Sequence, residues 1–89
     1  MKYLVLGCDV VGDCPLKEEN ELSDGAMPVE LSPELTAELI AWNARMAGAV
    51  LALTEAKGML QRLNAAGEGL AEQVAAAVVG GAKVRFIRE

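Results

Sequence analysis

The chain has 89 residues, more than half of them apolar, and a formal net charge of −5. That length holds one domain, residues 1–89, with a modest core. The absence of histidine removes the commonest general base, pH switch and metal ligand. No run approaches the roughly 20 apolar residues of a membrane span, so cytoplasmic residence and no membrane partner are expected.

Lys2 to Cys8 reads as a strand, with Leu4, Leu6 and Cys8 on one face and Tyr3 and Val5 on the other. Both faces are apolar, which predicts a central position in its sheet. Val5-Leu6-Gly7-Cys8 superficially matches a lipoprotein cleavage site, but the apolar stretch before Cys8 is shorter than the ~7–15 residues a signal peptide needs. Asp9 to Glu30 is polar and irregular, with turn signals at Gly12-Asp13 and Asp24-Gly25. Within it, Cys14 to Lys17 and Glu21 to Ser23 are expected to form a short hairpin around Glu18-Glu19-Asn20.

Ser32-Pro33-Glu34 is a helix start. The serine caps free amides, proline suits the first helical position, and Glu34 and Glu38 sit at the positive end of the helix dipole. Leu35, Leu39, Trp42, Met46, Ala49 and Leu53 then trace one helical seam, and Leu60, Leu63, Gly67, Leu70, Val74 and Val78 trace a second. One continuous helix from Pro33 to Val79 would run about 70 Å, beyond what a monomer this small covers with its own core. A helical hairpin is expected instead, broken between Ala52 and Gly58, with Thr54 as the second cap. The long helix, which requires a homodimer, is the alternative. Trp42 reads as core, and Gly67 as a close approach between backbones. Gly80-Gly81 ends the second helix, and Ala82 to Arg88 forms a last strand with Val84 and Phe86 on one side and Lys83, Arg85 and Ile87 on the other. The expected fold class is α+β: a small sheet of N- and C-terminal strands, an irregular hairpin after the first strand, and a two-helix antiparallel hairpin on one face.

The charge is uneven. Residues 9–38 carry nine acids against Lys17 alone, a net −8, whereas residues 39–89 carry +2 and Lys2 adds +1. Asp9, Asp13, Glu18, Glu19, Glu21, Asp24 and Glu30 are therefore the candidate partner-binding residues. Such a segment attracts basic surfaces and repels nucleic acid directly. The expected partner is a protein with a basic surface, such as a nuclease or another nucleic-acid-binding protein. The bland alternative is that these acids only keep an apolar chain in solution.

No catalytic constellation appears. Gly7 and Gly12 lack phosphate-loop spacing, Glu18, Glu19 and Glu21 fall in an exposed turn, and the calcium-loop pattern is missing. No cofactor and no enzymatic activity are expected. Cys8 and Cys14 lie six residues apart and are expected to be reduced; a metal or thiol role for them is the remote alternative.

Gly12-Asp13-Cys14-Pro15-Leu16, Leu31-Ser32-Pro33-Glu34-Leu35, Trp42-Asn43-Ala44-Arg45 and the segment Gly67 to Val74 together resemble small bacterial proteins sharing a Cys-Pro-Leu turn, a Leu-Ser-Pro-Glu-Leu cap and a Trp-Asn-x-Arg helix. Some of those proteins occur in toxin-immunity settings. The chain departs from that pattern in having Lys17 where an aromatic is usual, and a shorter connection between helices. The resemblance implies the same fold and no chemistry. The leading expectation is a bacterial or phage-encoded inhibitor or immunity-type protein acting by stoichiometric binding. Self-association through the helical seam is the alternative.

Overall fold

The computed structural model describes residues 1–21, 25–52 and 57–89. Three strands and two helices follow in the order β1 (Lys2–Leu6), β2 (Leu16–Glu18), α1 (Pro33–Leu51), α2 (Lys57–Ala77) and β3 (Ala82–Phe86). The sheet order is β2-β1-β3, so β1 is central, as its two apolar faces require. β2 pairs antiparallel with β1, placing Leu16 opposite Leu6 and Glu18 opposite Leu4. β3 pairs parallel with β1, from Lys2 opposite Ala82 to Leu6 opposite Phe86. A parallel pair needs a crossover connection, and the helical hairpin supplies it. Each successive element reverses direction, which returns β3 alongside β1 in the same sense.

Of the hairpin expected between Cys14–Lys17 and Glu21–Ser23, the first arm pairs with β1, and Leu22 and Ser23 of the second lie outside the described residues. Leu16–Glu18 takes β1 as its partner, because Leu16 is buried only when placed beside Leu6 in the core. Glu21 lies in a turn closed by its N–H to the Glu18 carbonyl, with Asn20 at φ 67°, a conformation asparagine tolerates.

Ser32 caps α1, its Oγ accepting from the Leu35 amide at 3.1 Å. α1 ends at Leu51 and α2 begins at Lys57, so the break falls in the expected interval; Leu53 and Thr54 lie outside the described residues. The longest dimension of the molecule is 41 Å, too short for the single 70 Å helix. The helices are antiparallel: Ser32 and Glu38 at the start of α1 share a surface with Gln73 and Ala77 at the end of α2. Gly80 and Gly81, both at φ +84°, turn the chain from α2 into β3.

The two seams are buried together and against one face of the sheet. Leu35, Leu39, Trp42, Met46 and Ala49 from α1 join Leu63, Leu70, Val74 and Val78 from α2 over Leu4, Leu6 and Leu16. Each large apolar side chain so buried contributes about 1.5–3 kcal/mol. Trp42 is core, as expected. Its indole N–H donates to the Leu63 carbonyl at 2.8 Å, tying the helices together. Gly67 is a close approach, but to side chains rather than to a backbone. A Cβ there would sit 2.4 Å from the Phe86 ring and 2.9 Å from Trp42. These two rings meet in a tilted pair with centroids 5.9 Å apart.

Candidate functional site

β1 ends at Leu6, two residues short of the expected Cys8, because α1 captures the main chain beyond it. Asn43, buried in the middle of α1, accepts from the Asp9 amide through Oδ1 at 2.7 Å. Its Nδ2 donates to the Asp9 carbonyl at 3.0 Å and to the Gly12 carbonyl at 2.9 Å. One side chain thus satisfies three main-chain groups that no strand partner meets. Asp9 tightens the loop from within: Oδ1 accepts from the Val11 amide at 3.1 Å, as in an Asx turn. A Cβ on residue 12 would lie 2.6 Å from Asp9 Oδ2, so a larger residue there would push the Asp9 carboxylate aside. With both ends of the turn held inward, Val10 and Val11 project; Val11 is 94% exposed.

The end of β3 is held in the same manner. Asn64, buried in α2, accepts from the Glu89 amide at 3.0 Å and donates to the Glu89 carbonyl at 3.3 Å. Each helix therefore contributes one buried asparagine that secures the chain leaving one of the two parallel strands. Between these segments lies an open pocket of ≈ 370 Å³, lined by Gly7, Cys8, Asp9, Cys14, Lys17 and Glu89 among others.

The pocket is poorly suited to thiol chemistry. Cys8 and Cys14 are both free thiols. Burial pushes the Cys8 thiol above its ordinary pKa, and the negative charges of Glu89 and Asp9 push it the same way. Cys8 Sγ contacts the Asn43 carbonyl at 3.9 Å, and Cys14 Sγ the Leu16 carbonyl at 3.2 Å. An activated thiolate needs the opposite surroundings. No group of three or more acidic or cysteine side chains among the described residues is placed to hold a metal ion.

The acidic residues do not form one face. Asp9 and Asp13 share the loop beyond the carboxyl end of β1. Glu19, whose amide donates to the Tyr3 carbonyl, and Glu21 lie toward its amino end. Glu30 precedes the α1 cap at that same end, and Asp24 lies outside the described residues. Glu18 pairs with Lys2 and Glu19 with Arg85, each at 3.2 Å, which offsets two of the charges. Asp13, Glu21 and Glu30 are exposed and make no ion pair among the described residues.

Asn43, Asn64 and the Val10-Val11 tip were not singled out by their residue types. A signal does exist: α1 and α2 each contain one asparagine, and each directly follows a seam residue, Trp42 or Leu63. A carboxamide at the margin of a buried seam must find partners, and here it finds them in the loops. No helix among the described residues is long and apolar enough to cross a membrane. No protein-family model matches the chain, and no curated protein matches it in sequence.

Proposed function

We propose that this protein works by stoichiometric binding to another protein, as a small bacterial or phage-encoded inhibitor or immunity-type neutraliser, and not by catalysis. The observation that carries this reading is the clamped loop: three hydrogen bonds from a buried asparagine hold a turn whose only projecting side chains are Val10 and Val11, flanked by Asp13. A rigid loop displaying apolar residues beside a free carboxylate is suited to docking, since little entropy is lost when it binds. The carboxylate favours a partner with a basic rim, such as a nuclease, and makes encounter salt-dependent. Glu18 and Glu19 belong to the sheet's own ion pairs and contribute less to such a surface.

The test is capture from lysate of the source cells or their phage, with wild-type, V11D and D13K proteins as bait. Val11 and Asp13 are exposed, so thermal unfolding should remain unchanged in both variants. The expected result is a stoichiometric partner held by the wild type at low salt, released at high salt, and lost with V11D. Absence of any partner at low salt, or a partner indifferent to both substitutions, overturns the reading.

A further inference from the structure

β3 is an edge strand, and its register shows which of its groups are unused. Lys2 donates to the Gly81 carbonyl and Ile87 to the Leu6 carbonyl, so residues 81, 83, 85 and 87 bond toward β1. The N–H and C=O groups of Ala82, Val84 and Phe86 consequently point away from the sheet, where the described residues supply no further strand. The side chains of Val84 and Phe86 face α2, and between strand and helix runs a groove of ≈ 320 Å³ floored by Ala71, Ala75, Val84 and Phe86 and flanked by Glu68 and Glu72. The opposite face of the strand carries Lys83 and Arg85, both exposed. Lys83 has no ion-pair partner among the described residues, and Arg85 reaches only Glu19.

An unpaired edge beside a helix-lined groove is the arrangement that accepts an added strand. A second copy of this chain is a poor occupant. In an antiparallel pairing of two β3 strands centred on Val84, Lys83 would lie opposite Arg85 of the other copy, twice. Centring on residue 83 or 85 sets lysine against lysine or arginine against arginine. Like charges directly opposite oppose pairing, so the edge guards itself against its own kind.

We propose that the β3 edge binds an extended segment of a partner protein by strand addition. The segment carries acidic side chains at alternate positions facing Lys83 and Arg85, and small apolar side chains between them entering the Ala71–Ala75 groove. The main chain of Ala82, Val84 and Phe86 supplies the affinity, and the basic face and the groove together supply the preference. This site lies on a different surface from the Val10-Val11 tip, so either can fail without the other.

A random twelve-residue peptide library panned on the intact protein, with the K83E/R85E variant as counter-target, tests it. The expected result is a consensus with acidic residues at every second position. A synthetic peptide of that sequence should bind at least about tenfold more weakly to K83E/R85E. It should also slow hydrogen exchange of the Val84 and Phe86 amides, and lose binding when its alternate amides are N-methylated. Thermal unfolding of K83E/R85E alongside wild type checks that the variant is folded, and a lysine-rich consensus should emerge from it. No enrichment on the wild type overturns the proposal. So does a peptide that binds the variant equally, tolerates N-methylation, or leaves the Val84 and Phe86 amides unprotected.

Discussion

Asn43 sits 2% exposed in α1, and every hydrogen bond of its carboxamide goes to the Asp9–Gly12 main chain. Removing it leaves the Asp9 amide and two carbonyls without partners in a partly buried place. N43A is expected to cost about 2–3 kcal/mol in chemical denaturation, more than a cavity of that size alone, because unsatisfied polar groups carry their desolvation penalty. The loop should respond more than the core: hydrogen exchange at the Asp9 and Val11 amides should rise well beyond the global change. An N43A protein with unchanged loop protection would show that the turn is held by Asp9 and Gly12 alone.

At the scale of elements, the contact between α2 and β3 depends on Gly67. A methyl group placed there meets both the Phe86 and Trp42 rings below 3.0 Å, and Trp42 has no room to withdraw, since it is fully buried and anchored to Leu63. G67A is expected to destabilise by about 1–3 kcal/mol despite the higher helix propensity of alanine. F86L should recover part of that loss in the double variant, and a double-mutant cycle on the denaturation midpoints measures the coupling. The helices and their seams were legible in the residues because their signals are local: the Ser32-Pro33 start, the steps of three and four, the paired glycines at the end. The partner of β2 was not legible. Three residues carry too little pattern to choose between a neighbour a few positions on and β1, and burial of Leu16 decided it. The candidate site was legible in its charges but not in its geometry. Glu18 and Glu19 are offset by Lys2 and Arg85, which lie 16 and 66 positions away, and the Asn43 clamp spans 34 positions to Asp9. Local composition does not reveal contacts over such separations.

For the whole molecule, the absence of histidine leaves few groups that titrate between about pH 5 and 8, so stability should vary little there. Above that range Cys8 enters. Its thiol ionises at higher pH in the folded chain than the ordinary 9.0, so the unfolded chain loses its proton first and gains relative to the native state. Stability is therefore expected to fall as the pH rises past 9.0. In a C14S background, C8S should flatten that slope in denaturant titrations run at successive alkaline pH values. An identical slope in the two proteins would remove Cys8 as its source.

The parallel pairing of β1 with β3 joins residues 2 and 82 at one end and 6 and 86 at the other. A chain leaving the ribosome makes β1 before β3 and holds it without that partner until both helices have been synthesised. Leu4, Val5 and Leu6, which end fully buried, must wait through the formation of both helices. The hairpin with β2 protects one side of the strand in the interval, and the Asn43 clamp closes the loop between them once α1 forms. Such long-range closure slows folding and leaves an apolar strand exposed during synthesis. Loss of β3 would remove far more than its five residues suggest, since it would leave the central strand of the sheet as an edge.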